Sequence, residues 1–109
     1  MGYNERPASE CAALDELRDQ IVDLCAPREI FLFSRKQSPA GELTAVKLCV
    51  IIPSGDARAV ECRLYVSLES ELPFDVLVYT EEEWRRLLAA ELSFANRIRE
   101  TGRVLYAAD

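Results

Sequence analysis

The sequence predicts an α+β fold, a small mixed β-sheet with helices packed mainly on one face. Three observations carry this. Residues 11 to 25 repeat apolar side chains at three- and four-residue steps, Val46 to Ile52 is a β-branched and apolar run broken only by Lys47, and Thr80 opens a capping box into a later amphipathic stretch.

Residues 1 to 8 are polar and contain Pro7, which predicts a frayed terminus. Ser9 is placed to cap a helix, with Glu10 in its first turn. Cys11, Leu14, Leu17, Ile21, Leu24 and Cys25 form the inner stripe, while Asp15, Glu16, Arg18, Asp19 and Asp23 fill the opposite face. Ala26-Pro27 ends this helix. Ile30-Phe31-Leu32-Phe33 is too short for a helix and reads as a buried strand. Arg35 to Glu42 reads as a polar loop on its Ser38, Pro39 and Gly41. Val46 to Ile52, apolar except for Lys47, is the second strand and the centre of the sheet, stopped by Pro53-Ser54-Gly55-Asp56.

Residues 57 to 69 carry two periods. Val60, Cys62, Leu64, Val66 and Leu68 alternate with polar neighbours as in a half-buried strand. Ala57, Val60, Leu64 and Leu68 also step as a helix, with Asp56 as its cap. Periodicity alone favours the strand, in a hairpin around residues 53 to 56. Phe74 to Tyr79 follows as a third strand with Asp75 near its start. Thr80 then caps a helix whose inner stripe is Trp84, Leu87 and Leu88. A break near Glu91 to Ser93 precedes a helix through Phe94 and Ile98, ending at Gly102, where a left-handed cap is expected. Val104-Leu105-Tyr106 is either a short edge strand or a segment packed down on the core.

The 109 residues make one domain, 50% hydrophobic and 29% charged, without repeats or linkers. A net charge of −6 argues against a nucleic-acid surface. Arg85, Arg86, Arg97, Arg99 and Arg103 are the candidates for a local basic patch, and read better as solvated helix faces. No apolar run approaches the ~18 residues of a membrane span. The first residues lack the pattern of a secretory signal, and a cytoplasmic protein is expected. There is no histidine, and Cys11, Cys25, Cys49 and Cys62 are widely spaced beside apolar neighbours. They read as buried free thiols; zinc sites and histidine-based catalysis are excluded or disfavoured.

Several segments together resemble the minimal nucleotidyltransferase domain of the polymerase-beta-like superfamily. Ile30-Phe31-Leu32-Phe33 is similar to that family's first strand, and Asp75-Val76-Leu77-Val78-Tyr79-Thr80 to its third. Glu82-Glu83-Trp84, Ser93-Phe94 and Gly102-Arg103-Val104-Leu105-Tyr106 are similar to its tail, so the resemblance spans about residues 10 to 106. It implies a helix over residues 57 to 69, against the alternation, and on this ground the helix is the expectation adopted.

The departures fall on the chemistry. The family places Gly-Ser after the first strand, where glycine lets backbone amides approach phosphates. Here Ser34-Arg35 occupies that turn. The family's Asp-x-Asp presents two carboxylates on one face of the second strand to hold Mg²⁺. Here Ala45 and Lys47 stand at those positions, and Asp75 remains as the third carboxylate. Two-metal phosphoryl transfer depends on the full set. The resemblance therefore implies relict active-site positions at Ser34, Arg35, Ala45, Lys47 and Asp75, with no catalytic residue, no metal and no cofactor.

Arg35, Lys36 and Lys47 are candidate anion contacts, and Lys47 reads either as a cation standing in the old metal site, beside Asp75 or a phosphate, or as a strand-end lysine reaching solvent. Small members of the family resemble the antitoxin half of two-gene systems with a helical HEPN partner. A protein partner or self-association is thus the expectation, without nucleic acid or membrane. The alternative is a nucleotide-binding sensor, or a transferase with a rearranged site.

Overall fold

The computed structural model describes residues 11–90 and 93–108. Its elements run α1 (Ala12–Cys25), β1 (Glu29–Gln37), β2 (Leu43–Ile52), α2 (Ala57–Ser67), β3 (Phe74–Thr80), α3 (Glu81–Ala89), α4 (Phe94–Thr101) and β4 (Arg103–Ala107). The strands form one mixed sheet in the order β3-β2-β1-β4. β1 pairs antiparallel with β2 and β4, whereas β2 and β3 are parallel. A parallel pair needs a crossover, and α2 supplies it. The α+β class, the mixed sheet and the central place of β2 are as the sequence predicts. The helices, however, are not mainly on one face: α1 and α2 cover one and α3 and α4 the other, since β2 buries apolar side chains on both.

Leu48, Cys49, Val50, Ile51 and Ile52 are all buried, because β2 is covered on both faces. One face packs Val46, Leu48, Val50 and Ile52 against Leu14, Leu17 and Ile21 of α1 and Leu64 of α2. The other packs Phe31, Cys49 and Ile51 against Trp84 of α3 and Ala95 and Ile98 of α4. The larger cluster lies under α1 and α2, and α3 and α4 give the second face a smaller core of its own. Trp84 stacks on Phe31 with centroids 5.7 Å apart. Truncating such a ring costs about 3–5 kcal/mol.

Residues 57 to 67 are helical, as the resemblance implies and the alternation does not. Asp56 accepts the Ala59 N–H at 3.1 Å, a local cap that supports the helix against the alternation. The capping box forms as expected, with Thr80 N–H donating to Glu83 at 2.9 Å and Glu83 N–H to Thr80 at 3.1 Å. β4 resolves the open reading of residues 104 to 106 as an edge strand.

Four further expectations are corrected or displaced. The hairpin is longer than its apolar core: Arg35, Lys36 and Gln37 pair with Val46, Ala45 and Leu43, so only Ser38 to Glu42 turns. Antiparallel pairing continues there with solvated side chains, which hydrophobicity cannot reveal. Gly102 is not left-handed but extended, with φ −78° and ψ 168°. A Cβ there would lie 2.5 Å from the Ile98 carbonyl oxygen and 3.2 Å from that of Leu32, so glycine serves close backbone approach. Among the described helix caps the left-handed one is Ala26, the C-cap of α1. The cysteines are all free, but only Cys49 is buried; Cys11 and Cys25 are half-buried and Cys62 is exposed, since α2 buries a single narrow stripe. The expected cap Ser9, its neighbour Glu10, the frayed residues 1 to 8, and Glu91 of the break lie outside the described residues. Cys11 is the N-cap of α1 and makes no side-chain cap bond. Among the described residues no helix is long and apolar enough to cross a membrane.

Candidate functional site

The singled-out positions converge. Ser34 pairs with Lys47 on β2, and Lys47 with Asp75 on β3, giving one row across three strands. Lys36 pairs with Ala45 in the next row. Paired residues point to the same side of a sheet, so Ser34, Lys36, Ala45, Lys47 and Asp75 share one face. That face is the one α3 and α4 cover farther along, where Cys49 and Ile51 are buried. At this end of the strands lies a cleft of about 280 Å³, lined by these five residues together with Arg35, Val46 and Phe74 of the intervening row and Pro73.

A β-bulge brings Ser34 onto the face of Lys47 and Asp75. The register passes from Leu32↔Leu48 to Ser34↔Lys47, so Phe33 is the extra residue on β1. Without it the alternation would turn Ser34 to the opposite face. Phe33 itself packs edge-on against Phe94 of α4, with centroids 5.4 Å apart.

Asp75 is positioned from α2. The Tyr65 hydroxyl accepts the Val76 N–H at 2.8 Å. Its single proton is shared between Asp75 Oδ1, at 3.4 Å, and the Val76 carbonyl, at 3.3 Å. One turn earlier, Glu61 accepts the Val78 N–H at 3.1 Å. With Glu83 on Thr80, side chains take the N–H groups of Val76, Val78 and Thr80 along the outer edge of β3. Residues four apart on a helix and two apart on a strand have similar spacing, which makes this match geometrical. Neither Tyr65 nor Glu61 stood out in the sequence. Their four-residue spacing identifies them only once the segment is known to be a helix lying beside an edge strand.

The electrostatics follow from the register. Lys47 is exposed, and no ion pair closes between it and Asp75 although they are neighbours across β2 and β3. Two ammonium groups, Lys36 and Lys47, flank Ala45, whose methyl group offers no ligand. Deeper on this face, burial, with a smaller contribution from Glu29, pushes the Cys49 thiol up to about 12, so it is inert as a nucleophile. Of the other arginines considered, Arg85, Arg86, Arg97 and Arg99 are exposed on α3 and α4, Arg86 bridging to Glu82 at 3.7 Å, and Arg103 lies on β4.

A two-metal centre does not fit these residues. Such a centre needs several carboxylates, and among the described residues Asp75 is the sole carboxylate lining the cleft, with the methyl group of Ala45 and the cation of Lys47 beside it. Among the described residues no group of three or more Cys, Asp or Glu side chains is arranged to hold a metal ion. No protein-family model, curated protein or solved structure matches this chain.

Proposed function

We propose that this protein is a catalytically inactive nucleotidyltransferase-like module that acts through protein contacts, comparable to the antitoxin half of a two-gene pair with a helical HEPN partner. The observation that carries it is the row Ser34–Lys47–Asp75, in which a lysine stands where a transferase needs a carboxylate. A fixed positive charge repels Mg²⁺ from the one remaining ligand, so in-line phosphoryl transfer has nothing to neutralise its developing charge. A scaffold of this kind keeps its buried sheet and helices while its cleft loses function. The free thiols fit a reducing, cytoplasmic location.

Co-purification of the tagged chain from its native host tests this reading. A stoichiometric protein partner is expected, and recovery of the chain with no partner at all would count against it.

One observation favours a second reading. Ser34, Lys36 and Lys47 line a cleft large enough for a phosphate-bearing ligand, with ammonium groups in place of metal. On this reading the module senses a nucleotide without Mg²⁺. Calorimetry with ATP, CTP and GTP separates the two: metal-independent binding lost in Lys47→Ala supports the sensor, and no heat with any nucleotide removes it.

A further inference from the structure

Lys36 lies opposite Ala45, and Lys47 stands two residues along β2 from Ala45, so the two lysines are diagonal neighbours on one face of the β1–β2 pair. Side chains in that relation start about 7–8 Å apart, within the joint reach of two four-carbon stems. Both lysines are exposed, and neither is in an ion pair among the described residues. Like charges so placed repel each other. Asp75 does not neutralise them: although it is the partner of Lys47 across β2 and β3, its Oδ1 takes the Tyr65 hydroxyl at 3.4 Å instead. Ser34, opposite Lys47, adds an exposed hydroxyl on the same face, and the methyl group of Ala45 fills little of the space between. No aromatic ring among the cleft's residues shares this face. Phe74 pairs with Val46 in the intervening row, which alternation turns to the other side, and it stacks there on Tyr65 of α2.

Granting the reading of this cleft as a metal-free sensor, on which the inference rests, we propose that Lys36, Lys47 and Ser34 bind a phosphate chain and are indifferent to the nucleobase. An ammonium meets phosphate oxygens as a point charge with rotatable donors, without the bidentate fork that suits a carboxylate. Two ammonium groups and a hydroxyl match a chain that carries several negative charges and enough oxygens to bridge both stems. A base gains nothing on this face, because no ring is there to stack on it. Asp75 works against the ligand. Its carboxylate beside Lys47 repels the chain, the reverse of the part it would play in holding Mg²⁺.

Calorimetry of the whole chain in EDTA, with inorganic tripolyphosphate, ATP, GTP and adenosine, tests the site. Tripolyphosphate binds, ATP and GTP bind equally well, and adenosine gives no heat. Lys36→Ala and Lys47→Ala each weaken tripolyphosphate about tenfold or more, at unchanged circular dichroism. Asp75→Asn, which keeps an acceptor for Tyr65, strengthens it about threefold, the effect of removing one like charge at about 7 Å in water. Arg58→Ala, in the separate cleft beside Glu61 and Glu83, leaves it unchanged. Nucleotide binding without tripolyphosphate binding would overturn the proposal and leave the sensor reading standing, whereas no heat with any ligand would remove both. Binding that needs Mg²⁺ or vanishes in Asp75→Asn would overturn it in favour of a metal site. Binding untouched by either lysine change, or lost equally in Arg58→Ala, would reduce it to general charge attraction and overturn it too.

Discussion

Tyr65→Phe isolates the bond that ties α2 to the candidate cleft. The substitution keeps the ring, which stacks on Phe74 with centroids 5.8 Å apart and planes 17° from parallel. It removes the oxygen that accepts the Val76 N–H at 2.8 Å and the proton shared with Asp75. A typical internal hydrogen bond contributes about 1 kcal/mol net, and stranding a buried donor costs about 1–3 kcal/mol. Tyr65 is 44% exposed, so water partly replaces the lost hydroxyl and the lower end applies. The expected loss is about 1 kcal/mol by urea unfolding, at unchanged slope.

Glu61→Ala, which frees the Val78 N–H one step along the same edge, costs a similar amount by the same reasoning. The double variant exposes two neighbouring donors of an edge strand and should aggregate more readily than either single change. Amide exchange gives the residue-specific readout, with Val76 accelerated in Tyr65→Phe and Val78 in Glu61→Ala. Unchanged stability together with unchanged exchange at Val76 would show that the hydroxyl does not cap this edge.

Two further outcomes follow from other sites. Gly102→Ala gains about 0.4–1 kcal/mol through the unfolded chain but forces a Cβ against two backbone carbonyls, an overpacking cost of about 1–3 kcal/mol. Net destabilisation of about 1 kcal/mol is expected in thermal unfolding, and a neutral or stabilised variant would contradict the close approach. Cys49 stays protonated in the folded protein above its ordinary value of 9.0, up to about 12. The unfolded state therefore loses its proton first, and stability falls as pH rises between those values, by at most ~1.4 kcal/mol per unit. That slope should shrink in Cys49→Ala, and an identical alkaline profile in the two proteins would exclude Cys49 as its source.

What the sequence made legible was local or strictly periodic. Thr80 and Glu83 satisfy each other within one turn, so their box is readable without the fold. Ala45 and Lys47 were placed on one face by strand alternation, and the register confirms the side they share. Ser34 joins them only through the bulge at Phe33, which no alternation rule foretells. Gly102 departs from the expected left-handed cap because it makes room for the carbonyls of Ile98 and of Leu32, the latter on a strand far away in sequence. The roles of Glu61 and Tyr65 depend on which strand lies at the edge of the sheet. Arg35 to Gln37 belong to β1 because β2 lies opposite them, not because of their own side chains.

The proposed absence of phosphoryl transfer is tested most directly by incubating the chain with α-labelled nucleoside triphosphates, in Mg²⁺ and in Mn²⁺, alone and with any co-purified partner. No label should move to protein, nucleic acid or small acceptor under any of these conditions, because Lys47 and Ala45 offer no metal ligand beside Asp75. Metal-dependent transfer that disappears in Asp75→Asn would contradict this and make the cleft an active site.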